Sequence, residues 1–310
     1  MRFNKELVYR LFYVPIIFLI FYFLGRQLIE NWQVVKDYQF VFRYHYLIGS
    51  CVLLGAAISF LALVWNRILR IIEPNHKIPN LLALRIYFIS EFAKYLPGTF
   101  WTILGKVYLG SRAGVSKKNL AVSSFFDSFF SVVPSFILGV SLSFGSFNNL
   151  PIYARFLGAL AIVGGLAIVH PKIFYPISNF VLRKFKKAEI LPREFLSYKN
   201  ILELFVWYLL TAVFVGIAFF LFLNSIVVLP ISAILGIIGI YNLAVVAGIA
   251  AIYAPSGIGV REGALVLLLV NYIPLAVATL VSFAARIWFT LVEVILLGLV
   301  LLSDKVSRGD

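Results

Sequence analysis

Apolar residues fill several long stretches of this chain almost without interruption, and the few places where Pro, Gly or charged residues break in define its organisation. An apolar run of about 18 residues or more is long enough to cross the hydrocarbon core of a bilayer as a helix. Tyr44–Trp65, Asn119–Phe144, Ile152–Val169, Ile201–Leu223 and Leu275–Leu302 read as five such crossings. A sixth, Leu11–Leu24, follows Arg2, Lys5 and Arg10 and leads into Gly25-Arg26-Gln27. No small-residue cleavage site stands there, so this run reads as an uncleaved signal-anchor helix. The expected fold is an all-α polytopic membrane protein, with residues 1–310 forming a single integral membrane domain.

Two segments do not fit as simple crossings. Asn80–Ser111 carries Arg85, Glu91, Lys94 and Lys106 around Leu96-Pro97-Gly98-Thr99, and Ile231–Tyr272 is interrupted by Ala254-Pro255-Ser256-Gly257-Ile258-Gly259. Proline removes a backbone donor and glycine admits unusual dihedrals, so each segment is predicted as a helix, a break and a second helix. With six crossings, both must enter and leave on one side, as re-entrant hairpins. The halves also repeat: Tyr44 to Ile201 is 157 positions, Pro97 to Pro255 is 158, and Asn119 to Ala276 is 157. Repeats of about 7–144 and 152–302 would each hold three crossings and one hairpin. An odd number of crossings turns the second copy upside down, and inverted repeats with matching broken segments point to a transporter with its site near the midplane.

Composition and charge narrow the class further. Of 310 residues 62% are hydrophobic and only 13% are charged, against about 25% charged in a soluble domain. Lys and Arg number 27 against 13 Asp and Glu, a net charge of +14. The basic residues gather in short flanking loops: Arg67, Arg70 and Lys77; Lys172, Arg183, Lys184, Lys186, Lys187, Arg193 and Lys199; Lys305 and Arg308. The opposing loops Gly145–Pro151 and Asn224–Pro230 carry no charge. This asymmetry predicts a multi-pass protein of the cytoplasmic membrane with both termini in the cytoplasm. It also accounts for the basicity without nucleic acid. Cys51 is the sole cysteine, which excludes a disulfide within the chain.

Charge at membrane depth is costly and persists where it is paired or faces water. On Asn119–Phe144, Ser124, Asp127, Ser128, Ser131 and Ser135 share a helical stripe, and on the last crossing Ser282, Arg286, Thr290 and Glu293 do the same. An offset of 158 carries Ser124 onto Ser282. The expected pairings are Asp127 with a hairpin cation, Arg286 with Glu262 or Glu293, and Glu91 with Lys94 three residues on. The second short helices are expected to begin at Thr99, after Pro97-Gly98, and near Val260, after Gly257-Ile258-Gly259. Their free N–H groups suit a phosphate, with Lys94, Lys106 and Arg261 adding charge. Alternatively, Thr99 and Ser256 merely cap buried helices. His45, His76 and His170 lack metal-ligand spacing, and Gly257-Ile258-Gly259-Val260-Arg261-Glu262 lacks the βαβ context of a nucleotide loop. No cofactor or metal is expected.

Lys94-Tyr95-Leu96-Pro97-Gly98, followed by Trp101, Gly105-Lys106 and Arg112-Ala113-Gly114-Val115-Ser116, resembles the first signature of the lysylphosphatidylglycerol synthase membrane-region, or flippase-like, family. Pro255-Ser256-Gly257-Ile258-Gly259-Val260-Arg261-Glu262-Gly263 resembles the second. The resemblance spans about Arg43 to Leu302 and implies movement of lipids with modified or glycosylated headgroups. Arginine is usual in the family where this chain has Lys94 and Lys106, so the charge is kept but the bidentate fork is lost. Some members carry a fused soluble aminoacyl transferase; here the sequence ends at Asp310, so synthase activity is not carried over. The leading expectation is a translocase, not an enzyme, passing an anionic phospholipid or lipid-linked sugar through a basic cavity between the repeats. A separately encoded lipid-modifying enzyme is a possible partner. The alternatives are a membrane enzyme or accessory subunit using Glu91, Asp127 or Glu262 as general base, and a lipid-binding scaffold that moves nothing.

Overall fold

The computed structural model describes residues 22, 25–26, 29–30, 32–76, 78–95, 101–146, 152–184, 190, 196–251 and 254–307. These residues form α1 (Trp32–Asp37), α2 (Tyr44–Ile72), α3 (Asn80–Phe92), α4 (Trp101–Arg112), α5 (Lys117–Ser146) and α6 (Ile152–Val169). The chain continues through α7 (Pro171–Lys184), α8 (Tyr198–Asn224), α9 (Ile234–Ala250), α10 (Val260–Leu269) and α11 (Leu275–Ser307). Single 3₁₀ turns follow α3 at Ala93–Tyr95, precede α9 at Ile231–Ala233 and precede α10 at Pro255–Gly257. No strand occurs among the described residues, as expected of an all-α polytopic membrane protein.

Among the described residues five helices are long and apolar enough to cross a membrane: α2, Lys117–Ser143 of α5, α8, Ile231–Ala250, and Leu275–Leu302 of α11. The sequence expectation differs in two places. Ile231–Ala250, read as one limb of a hairpin, reaches the length of a crossing by itself, because its break comes only after 20 residues. Of Ile152–Val169, read as a separate crossing, the part Gly158–Val169 meets the same test together with Pro171–Phe180, from which it is bent by 86°. The anchor helix expected at Leu11–Leu24 lies outside the described residues apart from Tyr22.

Small residues let the long helices approach closely. A Cβ on Gly239 of α9 would stand 2.6 Å from the Ser143 nitrogen of α5, and one on Gly139 of α5 would stand 2.9 Å from Leu243 of α9. These paired positions run in opposite order, so α5 and α9 are antiparallel. α2 and α8 are antiparallel too. The Val41 and Arg43 N–H groups, at the start of α2, donate to the Ile226 and Ser225 carbonyls past the end of α8, both at 3.0 Å. At the other end Arg67 lies 3.4 Å from Glu203. α11 runs parallel to α2, with Trp288 donating to the Ser50 hydroxyl at 3.1 Å and Leu296 beside Gly55. The shared interior is filled by Trp65, Leu69, Phe219, Tyr241 and Trp288, and a second cluster by Phe126, Phe130, Phe174 and Tyr208.

The two broken segments sit at opposite ends of this bundle. Asn80, at the head of α3, accepts from Arg70 at 2.7 Å and from Asn66 at 3.1 Å. Past the end of α4, the Ser116 N–H (3.3 Å) and the Asn119 amide (2.9 Å) both donate to Glu73. The segment from α3 to α4 thus begins and ends at the C-terminal end of α2. Pro230 and Ser232 before α9, and Tyr272 after α10, line one cleft of about 450 Å³ with Ser141 and Leu142 near the end of α5. The second segment thus begins and ends at the far end of α5.

His76, in the turn between α2 and α3, accepts the Ile78 N–H on Nδ1 at 3.0 Å. Burial, and then the Arg70 charge, push its pKa below the ordinary imidazole value, against a weaker upward pull from Glu73. The unfolded chain therefore takes up the proton first as pH falls below roughly 6.5. Stability contributed by neutral His76 should be complete above that pH and be lost as pH falls toward the lower folded value. Thermal melting in detergent should show this acid-side decline in the wild type and lose that component in His76→Gln.

Candidate functional site

Eight ionisable side chains from the two broken segments and their neighbouring helices, four cations and four carboxylates, form two linked groups. In the first, Lys106 of α4 is 3% exposed, lies 2.6 Å from Asp127 of α5 and 3.3 Å from Glu91 of α3, and sits over the Tyr87 ring at 3.9 Å. Tyr208 of α8 donates its hydroxyl to the other Asp127 oxygen. The expected pairing of Asp127 with a hairpin cation is what the structure shows. The expected Glu91–Lys94 pair is not: the two hairpin limbs, in close contact where Gly105 meets Ser90, turn Lys106 toward Glu91 instead.

The second group joins one break to the other. Lys94, in the turn ending α3, pairs with Glu293 of α11, and Tyr95 donates to the second Glu293 oxygen at 2.9 Å while lying 3.1 Å from the Thr290 hydroxyl. Arg286 of α11 donates to the Ser256 carbonyl at 3.0 Å, lies 3.6 Å from Glu262 and faces the Tyr95 ring at 5.6 Å. Its second terminal nitrogen is buried and has no hydrogen-bond partner among the described residues. Arg261 of α10 bonds the Tyr241 hydroxyl and lies between the Tyr241 and Phe289 rings, at 5.0 and 4.8 Å. Among the described residues no carboxylate pairs with it. The side chains of the 3₁₀ turn after α3 and the backbone of the one before α10 thus meet around the same face of α11.

Local backbone chemistry places these groups. Gly257 and Gly259 have φ of +66° and +85°, in the region glycine occupies without penalty, and Ser256 shares it at +51°. A Cβ on Gly257 would stand 2.6 Å from the Gly248 Cα, so only glycine lets the break lie against α9. Glu262 reaches back to the Gly259 N–H at 2.6 Å and thereby caps α10.

Two expectations are corrected by this arrangement. The head of α10 already holds an anion, its own Glu262, and Ser256 does not cap the helix but gives its carbonyl to Arg286. Lys94 and Lys106 are committed to carboxylates, so the surroundings of the breaks are charge-balanced rather than basic, and the net charge of +14 resides elsewhere. The serine stripe satisfies itself, with Ser124 donating to Leu120 at 2.7 Å, Ser128 to Ser124 at 3.0 Å and Ser131 to Asp127 at 2.8 Å, each through the carbonyl one turn back. Ser282 does the same to Ala278 at 2.7 Å. Pro97, Gly98 and Thr99 lie outside the described residues.

Sequence reasoning missed Tyr87, Tyr95, Tyr208 and Tyr241, which supply hydroxyls or ring faces to four of the charges. The available signal was a phenol inside an apolar run, where its hydroxyl needs a partner. No curated protein matches the chain. The family model described as the lysylphosphatidylglycerol synthase TM region matches residues 8–298, and the chain belongs to that family.

Proposed function

We propose that this membrane protein, whose family ties it to lipids, moves a lipid with an anionic or glycosylated headgroup between the leaflets, the headgroup passing the place where the two helix breaks meet. The observation that carries this reading is the ion pairing at the breaks, Lys94 to Glu293 and Arg286 to Glu262, with Arg286 also donating to the Ser256 carbonyl. A pair of protein charges that closes on itself when the site is empty can exchange a carboxylate for a lipid phosphate, so the cations need not wait unpaired in the membrane. Arg261, buried and lacking a carboxylate, is the cation open to an incoming anion at least cost. An inverted repeat is supported by the antiparallel course of α2 and α8, whose first residues, Tyr44 and Tyr198, are 154 positions apart. The opposite placement of the two broken segments supports it too.

The end of the bundle bearing Arg67, Arg70, Arg112 and Lys199 is the cytoplasmic one in this reading, by the excess of basic residues. In a Cys51→Ser background, Asn75→Cys and Ser116→Cys should both label from the cytoplasm, and Val228→Cys and Asn271→Cys from outside; all four positions are exposed. Opposite-side labelling within either pair would remove the hairpins. Mass analysis of vesicle lipids after incubation with the pure protein separates the reading from headgroup modification. Leaflet change at unchanged lipid mass supports translocation; altered headgroup mass supports an enzyme; neither supports a binding scaffold.

A further inference from the structure

The formal charges of the two linked groups do not cancel within each group, and the surpluses have opposite signs. In the first, Lys106 is the single cation for two carboxylates among the described residues, Asp127 at 2.6 Å and Glu91 at 3.3 Å, which leaves one negative charge over. In the second, Lys94, Arg261 and Arg286 gather with Glu293 and Glu262 near Tyr241, which leaves one positive charge over. Unbalanced charge is costly at these depths. One singly charged anion would balance the second group, and one proton would balance the first.

The two carboxylates around Lys106 are not held alike. The Asp127 side chain is 6% exposed and also accepts the Tyr208 hydroxyl, whereas the Glu91 side chain is 24% exposed and has the longer contact with Lys106. A metal cation has no place between the carboxylates, because the Lys106 ammonium stands there; a proton adds to a carboxylate oxygen itself. Protonated, Glu91 becomes a donor and Lys106 passes to Asp127. The charge of Glu91 reaches Lys106 of α4, Asp127 of α5, Tyr208 of α8, Tyr87 of its own helix, and Lys94, which pairs with Glu293 of α11. From α2 the facing group is Trp65, whose ring lies 5.6 Å from the Lys106 nitrogen and does not titrate. Trp65 Nε1 and the hydroxyl of Ser90, next to Glu91 in the chain, are buried without hydrogen-bond partners among the described residues. They leave polar groups uncommitted beside the cluster, as passage of a proton needs.

We infer that the protein couples the two surpluses, taking up one proton on Glu91 for each single negative charge an anionic lipid brings to the second group, and moving both in the same direction. The inference rests on the reading of the breaks as a lipid path. Lys94, three residues beyond Glu91 and paired with Glu293, stands between the groups, so a charge held in one changes the cost of a charge held in the other, and the effect is reciprocal. The proton comes from water on one side and returns from Glu91 to water on the other. Proton and anion cross as a load without net charge.

Two measurements on the full chain test it. The first follows phosphatidylglycerol labelled on an acyl chain, in phosphatidylcholine vesicles holding the wild type, in sodium-free buffer with a pH difference across the membrane. The label should collect in the leaflet on the less acidic side, beyond any shift in protein-free vesicles, toward a ratio of about tenfold per pH unit. Asp37→Asn, on exposed α1, should keep this response. Leaflets that equalise despite the pH difference would overturn the coupling and leave the lipid path standing, whereas no exchange at all would overturn both. In the second, dihexanoyl phosphatidylglycerol added to weakly buffered protein in detergent should draw a proton from solution for each lipid bound, and Glu91→Gln should lose that uptake. Lipid bound by the wild type without proton uptake, or uptake undiminished in Glu91→Gln, would overturn the inference. The wild-type results decide it without the variant.

Discussion

Replacing Lys106 by methionine should destabilise the protein more than any other single change at the first break. The substitution leaves buried Asp127 and half-buried Glu91 without their shared cation, only the Tyr208 hydroxyl remaining on Asp127. Removing one partner of a buried pair costs ~3–5 kcal/mol, whereas replacing the whole group by apolar residues of similar volume is often close to neutral. Lys106→Met should therefore lower the detergent melting temperature and the amount of inserted protein sharply. Lys106→Met combined with Asp127→Leu and Glu91→Leu should recover much of the loss. Lys106→Arg, with a fork able to reach two carboxylates, should stay close to wild type. Equal losses in the single and triple variants would mean that the pairing is not what Lys106 contributes.

Gly257→Ala should be comparably severe for a different reason. The added Cβ would meet the Gly248 backbone at 2.6–2.8 Å, and the residue would have to hold φ at +66°. Backbone on both sides of the contact cannot yield as a flexible side chain can, so the break must move off α9, carrying Ser256 away from Arg286. Gly263→Ala is the matched control: nothing lies within 4 Å of its added Cβ, and it stands inside α10. There alanine should be neutral or stabilising by up to ~1 kcal/mol. Melting temperatures of the two variants in one detergent check the contrast.

These effects also show which parts of the site could be read from one sequence. The breaks were visible because Pro97-Gly98 and Pro255 to Gly259 interrupt otherwise apolar runs, and Asp127 and Arg286 because a charge at that depth needs a partner. The pairing of Arg286 with Glu262 was among the expected ones, and at 3.6 Å it is present. The partner of Lys94 was not legible. Spacing favours Glu91, three residues away, while the actual partner, Glu293, is 199 residues distant and is brought near only by packing α11 against α3. The charge groups are not copies of each other either: an offset of 158 carries Asp127 to Ala285 and Arg286 back to Ser128. In the proposed repeat the correspondence lies in helix order, and the charges do not follow it. Tyrosine partners stayed hidden because aromatic residues make up 16% of the chain, so a single phenol does not stand out until its neighbours are known.

The two breaks form the working centre of the protein in this reading, and Arg261 is the residue that separates a lipid path from a purely structural ion-pair cluster. Arg261→Gln removes a charge that no carboxylate among the described residues pairs with, so it leaves no orphaned anion among them, and its bond to Tyr241 can be kept by the amide. Losing a charge-assisted contact worth about 1.5–3 kcal/mol should slow movement of an anionic lipid by tenfold or more while the melting temperature changes little. The most direct measurement is leaflet exchange of a headgroup-labelled anionic lipid in vesicles holding the pure wild type, Arg261→Gln, or no protein. Exchange by the wild type well above empty vesicles, and a rate reduced at least tenfold in stable Arg261→Gln, is the expected result. Wild-type exchange no faster than in empty vesicles, or an undiminished rate in Arg261→Gln, would contradict the assignment of the breaks as the lipid path.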